Sequence, residues 1–469
     1  MPVLILLCAA QFMVILDITV VNIALPSIQA DLGIAVKDLQ WVITAYTLAF
    51  GGLLLVGGRA ADLFGRRRVF LAGLLTFTLA SLGAALATSP ETLLAARVLQ
   101  GVGAAALSPA ALSLITTTFP DGHERRRALA AWAAVAASGG AFGVLAGGAL
   151  TEALDWPAIF LINVPVGLAV GLGSLRVLPK ARGTEGGRLD LAGALLAAGS
   201  LVALIYGLVE APGAGWGSAQ TLGLLGAAAI GLAAFVALEA RVAQPLVALG
   251  VFRRRATSTA LVLMVAGMGT VMSAFFFLTL YLQHVLGHSA LETGLQFLPG
   301  AIVLVVAAHG GGQLVSRLGA KPVLAGGMTL GALGALLLSG VSASGSYVSD
   351  VLPGLLVLDA GIGLAAAGIF ITGMAGVADD EAGLVSGLIT TAHEVGIALV
   401  LPILSTVAVS RVGASTLATA AGADPALVTA GFGTAFRAAA AISLAAALLA
   451  VVALRRSDVA PGAEPVFGH

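Results

Sequence analysis

The sequence predicts an all-α integral membrane protein of fourteen transmembrane helices, and three observations carry that reading. Of 469 residues, 59% are hydrophobic and only 10% charged, with a mean hydropathy of +1.05, whereas soluble domains carry about 25% charge. The apolar residues gather into fourteen runs, each near the roughly 20 residues that cross a bilayer as a helix. Basic residues crowd between alternate runs, the asymmetry that membrane insertion imposes. A soluble chain of this length would need several charged surfaces that this composition cannot supply. Disorder is excluded by the same apolar content, and a membrane barrel would alternate in short strands.

The first run, 3–26, carries Asp17 and Asn22 and has neither a basic leader nor a small-residue cleavage site, so it reads as a retained span rather than a signal peptide. The runs 41–58, 69–88, 92–118, 128–151 and 157–178 follow. Their many glycines (Gly101, Gly103, Gly139, Gly140, Gly147 and Gly148 among them) suit close helix contact in lipid. Two further runs, 189–210 and 219–238, precede the last six, 256–283, 293–315, 322–342, 351–375, 383–409 and 433–454. With the N-terminus placed in the cytoplasm, nineteen of the 23 Lys and Arg fall in inner loops and only Lys37, Arg411 and Arg437 outside. Both termini are therefore expected in the cytoplasm of a multi-pass cell-membrane protein. Trp41, Trp156 and Trp216 fall near the outer boundary, where indole rings favour the interface.

The chain repeats itself at an offset of 254: Gly57 to Arg67 lies over Gly311 to Lys321, Val69 over Val323, and Gly73 over Gly327. Duplicated halves around a central site are a transporter signature. The expected division is a six-helix half at 1–178, an inserted two-helix hairpin with its linkers at 179–253, and a second six-helix half at 254–469.

Several motifs resemble those of the major facilitator superfamily, specifically its fourteen-helix drug/proton antiporters (EmrB/QacA-like). Leu16-Asp17-Ile18-Thr19-Val20-Val21-Asn22 to Pro26 is similar to that family's first-helix motif, and Gln40-Trp41-Val42-Ile43-Thr44-Ala45-Tyr46 to its second-helix opening. Gly58 to Arg67 follows the loop pattern G-x-L-a-D-r-x-G-r-k with Ala60 in place of Leu, and Arg97-Val98-Leu99-Gln100-Gly101 follows R-x-x-Q-G. Phe160 to Gly167, with Asn163 and Pro165, matches the sixth-helix opening. The fifth-helix antiporter motif keeps Gly139, Gly143, Gly147 and Gly148 but carries Val144 where the proline belongs. The resemblance implies proton-coupled efflux of amphipathic or cationic small molecules, with a gating loop at Gly58, Asp62, Gly65, Arg66 and Arg67. That loop reads either as a latch on the inner gate, with Asp62 capping a helix and the arginines pairing with it or with helix C-termini, or as a topology signal only.

Four ionisable residues lie well inside spans: Asp17, Arg97, Asp359 and Glu394. Each costs roughly 2.5–3.5 kcal/mol at the bilayer centre, so each needs a partner or a task. Asp17 and Arg97 lie about 13 Å and about 9 Å below the outer helix ends, close enough in depth to pair. Such a pair either tunes a proton or cation site or locks the first helix to the fourth. Asp359 and Glu394 have no intramembrane cation left for them, which suits carboxyls that load and release protons or stay neutral and hydrogen-bonded. His393 projects about 100° away from Glu394 on a helix and is not automatically its partner. Phe275, Phe276, Phe277 and Tyr281 are either the wall of an apolar cavity or lipid-facing rings.

Other chemistries are excluded in turn. The single Cys8 and scattered histidines offer no thiolate cluster or ligand pair for a metal. Gly101 to Ala106 fits a dinucleotide pattern only inside a span, and His393-Glu394 lacks the second histidine of a metalloprotease, Ile397 standing there. No phosphate-binding GxxxxGK[ST] occurs, so the expected energy source is the proton gradient, with no cofactor and no catalytic residue. The expected partners are a small-molecule substrate, protons and the lipid bilayer; there is no basic excess for nucleic acid, and the chain is expected to act as a monomer. The alternatives of the same fold are a non-transporting receptor or scaffold, a facilitator, or a symporter.

Overall fold

The computed structural model describes residues 2–119, 123–179, 190–242, 245–377, 381–412 and 424–455. Fourteen long helices succeed one another there, with no strand among the described residues. They are α1 (Pro2–Leu32), α2 (Trp41–Phe64), α3 (Arg66–Ala85), α4 (Pro90–Thr118), α5 (His123–Leu154), α6 (Pro157–Leu161 continued by Asn163–Val177) and α7 (Leu191–Ala214). The series continues with α8 (Ala219–Glu239), α9 (Arg255–Leu280), α10 (Ala290–Leu318), α11 (Ala320–Leu338), α12 (Leu352–Met374), α13 (Ala382–Val412) and α14 (Pro425–Ala453). Thirteen of the described helices are long and apolar enough to cross a membrane. The remaining one, α5, is 32 residues long and covers the run at 128–151. The linker residues Lys180, Arg182 and Arg188, and Arg456 after α14, lie outside the described residues.

Local chemistry sets where helices start. Ser89 and Thr92 form a reciprocal capping box at the start of α4, with Pro90 in the first turn, and Ser289 with Glu292 does the same for α10. Ser218 caps α8, and Asp424 caps α14 ahead of Pro425. Pro26 sits inside α1, which continues to Leu32, beyond the end expected at that proline. With Val144 in the proline position, α5 runs unbroken through the glycine motif.

The internal repeat is visible in the turns. A single residue joins α2 to α3 and another joins α10 to α11: Gly65 at φ 94° and Gly319 at φ 82°. Only glycine adopts that backbone without steric cost. The same helix pairings recur on either side of α7 and α8. Thus α2 packs on α4 as α10 packs on α12, α3 on α4 as α11 on α12, and α1 on α5 as α9 on α13. A Cβ at Gly57 would collide with the Ala105 carbonyl of α4, and one at its repeat counterpart Gly311 with the Leu364 carbonyl of α12.

The first six and last six helices meet along two seams. On one, α5 meets α10: a Cβ at Gly148 would lie 2.6 Å from the Ala290 carbonyl, and one at Gly294 would lie 2.8 Å from the Val144 carbonyl. There Glu152 accepts the free Leu291 N–H at the start of α10 at 3.0 Å, a cap supplied from the other set of helices. On the other seam, α2 meets α13. Beside these, Gln283 Nε2 donates to the Ile23 carbonyl at 2.9 Å and Asn22 approaches Met272 Sδ at 3.5 Å. These contacts lie toward the end of the bundle that holds Leu154, Ala290 and Trp41.

The α7–α8 hairpin lies against the second seam and touches both sets. Ile205 and Val209 of α7 pack with Leu48 of α2 and Ala398 of α13. Thr406 Oγ1 donates to the Leu208 carbonyl at 3.0 Å, and Lys37, just ahead of α2, lies 3.5 Å from Glu210. Trp156, at the start of α6, is buried and donates its indole N–H to Asp31 at 2.9 Å, while Trp216 is exposed. A partner for the N–H is what lets a tryptophan go under.

Because the α2–α4 contact leaves no room for a side chain, Gly57→Val should abolish correct folding. The check is the monodisperse yield from detergent extraction, with Gly58→Ala, whose Cβ would sit 3.7 Å from Pro109 Cβ, extracting close to wild type.

Candidate functional site

Five helices bring one polar cluster together in the middle of the first set. Asp17 on α1 is 0% exposed and Arg97 on α4 is 1% exposed. Arg97 Nη1 lies 2.5 Å from Asp17 Oδ2, and the other carboxylate oxygen, Oδ1, accepts from Gln100 Nε2 at 2.9 Å and from Asn163 Nδ2 at 3.0 Å. Gln100 Oε1 accepts from Arg97 Nη1 at 3.0 Å, and Gln100 Nε2 reaches Ser81 Oγ on α3 at 2.9 Å. Arg97 Nε donates to the Val42 carbonyl of α2 at 2.8 Å. The guanidinium is roofed by the Tyr46 ring, 4.4 Å from its centroid, with the Phe160 ring at 5.8 Å, an arrangement that stabilises a desolvated cation. Tight packing makes the reach possible: a Cβ at Gly101 would collide with the Tyr46 carbonyl.

Glu394 stands on the other side of α2. It lies on α13, 3% exposed, with its β-carbon pressed against Gly51 of α2. His393 Nδ1 lies 2.9 Å from Glu394 Oε1, while Oε2 has no hydrogen-bond partner among the described residues. The helical-wheel expectation separated these two side chains. Their adjacent backbone positions and rotatable bonds let the imidazole swing back onto the carboxyl. On α2, the buried Tyr46 hydroxyl also has no hydrogen-bond partner among the described residues.

Asp359 lies apart from both. It is 0% exposed on α12, and neither carboxyl oxygen has a partner among the described residues. Its carboxyl fills the space over Gly300 of α10. Gly300 is the repeat counterpart of Tyr46, and Asp359 stands where Gln100 stands in the first set, if Leu364 is equated with Ala105 through their matching glycine contacts. The two sets thus place polar groups at one equivalent depth with different chemistry.

The remaining motif residues take the following places. Gly65 forms the α2–α3 turn, Gly58 faces Pro109, Asp62 lies 3.8 Å from Arg66, and Arg67 donates to the Leu175 carbonyl at the end of α6. That last bond is a cation on a helix C-terminus. Gly139, Gly143 and Gly147 line the contact with Ile15, Thr19 and Val20 of α1, and Gly148 faces α10. Phe277 packs on Phe432 and Phe436 of α14, Phe276 on Phe277, and Phe275 on Phe297 of α10 with centroids 4.7 Å apart. Tyr281 donates to the Ser342 carbonyl at 2.8 Å. No group of three metal-ligating side chains occurs among the described residues.

Comparison with known proteins agrees with this architecture. The family model described as Major Facilitator Superfamily matches residues 7–401. The cephamycin export protein CmcT of Amycolatopsis lactamdurans is 42% identical over 460 residues, covering 97% of this chain and 93% of the relative. The puromycin resistance protein pur8 of Streptomyces alboniger is 43% identical over 415 residues, covering 88% of this chain and 82% of the relative. Among solved structures, a bacterial homolog of the human lysosomal transporter Spinster, inward-facing and occupied, superposes with a TM-score of 0.67 at 17% identity, covering 96% of each chain.

Arg97→Gln leaves Asp17 buried without its cation and should lower stability by about 3–5 kcal/mol. The Asp17→Asn/Arg97→Gln double variant should cost less than the sum of the singles. Unfolding of all four proteins in detergent measures both; strict additivity would show that the two residues are not energetically coupled.

Proposed function

We propose that this chain, which belongs to the major facilitator superfamily, is a proton-coupled exporter of amphipathic or cationic small molecules, of the kind its fourteen-helix drug/proton antiporter resemblance implies. One observation carries the reading: the first six helices hold a buried Asp17–Arg97 pair, and on the far side of the α2–α13 seam lies a buried Glu394 whose Oε2 has no hydrogen-bond partner among the described residues. Two buried acids, one held by a guanidinium and one with only an imidazole beside it, supply groups that exchange of protons for a cation can use. Similarity to the cephamycin and puromycin proteins over most of the chain supports small-molecule export as the direction of use.

In this proposal both termini are cytoplasmic, so the end holding Gly65 and Gly319 faces inward and the closed α5–α10 contact faces outward. Substrate enters from the inside and meets Glu394. Protonation of Asp17 loosens Arg97, and the halves 1–178 and 254–469 rock about the seams while the inserted hairpin at 179–253 rides on one of them. Asp62, Arg66 and Arg67 latch the inner end in the opposite state. Asp359 acts as a second protonatable acid. The energy is adequate without a cofactor: one proton yields about 2.3 kcal/mol per 100 mV and about 1.36 kcal/mol per pH unit. The protein works as a monomer in the cell membrane.

Inside-out membrane vesicles with an imposed pH gradient test this. Adding a transported cation such as ethidium should collapse the gradient, and Glu394→Gln or Asp17→Asn should reduce that flux at least tenfold. Ethidium flux without proton movement would identify a facilitator instead. Failure of a broad compound panel to move any protons would point to a receptor or scaffold.

A further inference from the structure

We propose that Tyr46 is a positioning residue that ties occupancy of Glu394 to the Asp17–Arg97 pair. This rests on the exporter reading and extends it to a residue outside both acids.

Tyr46 has two faces with different partners. Its ring covers the Arg97 guanidinium at 4.4 Å, so any movement of the ring changes how well that cation is screened and held against Asp17. Its hydroxyl is fully buried and has no hydrogen-bond partner among the described residues, and the same holds for Glu394 Oε2. One of these orphans is a donor and the other an acceptor, and they belong to helices packed along one seam. Burial without a partner is unfavourable for both, so a change of side-chain rotamer across the α2–α13 contact that lets Tyr46 O–H donate to Oε2 relieves both at once. A cation that takes Oε2 removes that option and leaves the hydroxyl unpaired.

The charged groups that bear on Tyr46 are Asp17 from α1, Arg97 from α4 and Glu394 from α13, the last with His393 beside it. Farther off, α7 brings Glu210, which lies beside Lys37, and α3 carries Arg66, Arg67 and Arg68 at the Gly65 end. Of these, Asp17 and Glu394 are the acids that bear electrostatically on the hydroxyl. The second set of helices has no such device, because Gly300 stands at the position equivalent to Tyr46.

The test uses the full-length protein in detergent at low buffer capacity, with ethidium as the probe. Wild type should release protons when ethidium binds, and its ethidium affinity should rise with pH. Tyr46→Phe keeps the ring over Arg97 and should still bind ethidium, but protons released per ethidium should fall at least twofold and the pH dependence of affinity should flatten. Tyr46→Ala, which also uncovers Arg97, should lose more. A merely structural role for the hydroxyl predicts wild-type proton release and pH slope in Tyr46→Phe, and that result would overturn the inference alone. A wild type that binds ethidium without releasing protons would overturn the exporter reading, and this inference with it.

Discussion

A guanidinium does not lose its proton inside a protein, so Arg97 is a permanent positive charge at the centre of a membrane-spanning bundle. Every nearby feature answers that constraint. Asp17 supplies the counter-charge, the Val42 carbonyl and Gln100 take further N–H groups, and aromatic rings roof the planar face. Asn163 and Ser81 then complete the partners of Asp17 and Gln100. These groups come from five helices, so one cation specifies how α1, α2, α3, α4 and α6 sit together. Apolar packing alone would tolerate small slips between such helices; a charge network of this geometry does not.

The internal repeat sharpens the point by what it fails to copy. The backbone plan is duplicated down to single-residue glycine turns at Gly65 and Gly319. The polar centre is not: the second set substitutes Gly300 for an aromatic ring and buries an acid, Asp359, that has no hydrogen-bond partner among the described residues. The backbone plan is repeated, and divergence made the two sets of helices electrostatically unequal. A device that moves one charge against another needs that inequality, since two identical sides would hold a proton equally well.

Much of this was legible in the residues. Hydropathy located the helices because lipid enforces apolar length, and the offset of 254 located both glycine turns. Depth along α1 and α4 was enough to bring Asp17 and Arg97 to one level. What hydropathy could not give was lateral direction. Gln100, Asn163 and Ser81 look ordinary one by one, and their convergence depends on interhelical contacts that no single helix encodes; the R-x-x-Q-G and sixth-helix motifs were the available signal. The Glu394–His393 contact escaped because a helical wheel fixes where the Cα–Cβ bonds point, not where long side chains end. Helix ends ran past the apolar runs, as at Leu32 and Phe64, where local turn chemistry and tertiary contact rather than hydropathy decide the last turns.

The α7–α8 hairpin has a consequence for the bilayer itself. It is held to α2 and α13 at once, through Lys37–Glu210 and Thr406–Leu208, yet most of the surface of α8 faces outward with residues such as Leu222 and Ile230 exposed. Any motion along the α2–α13 seam therefore drags a broad lipid-facing panel with it. The membrane must deform or reorder its chains around that panel, at a cost that depends on bilayer thickness. Membrane thickness thus becomes a thermodynamic variable of the conformational cycle, acting on the protein through its two additional helices.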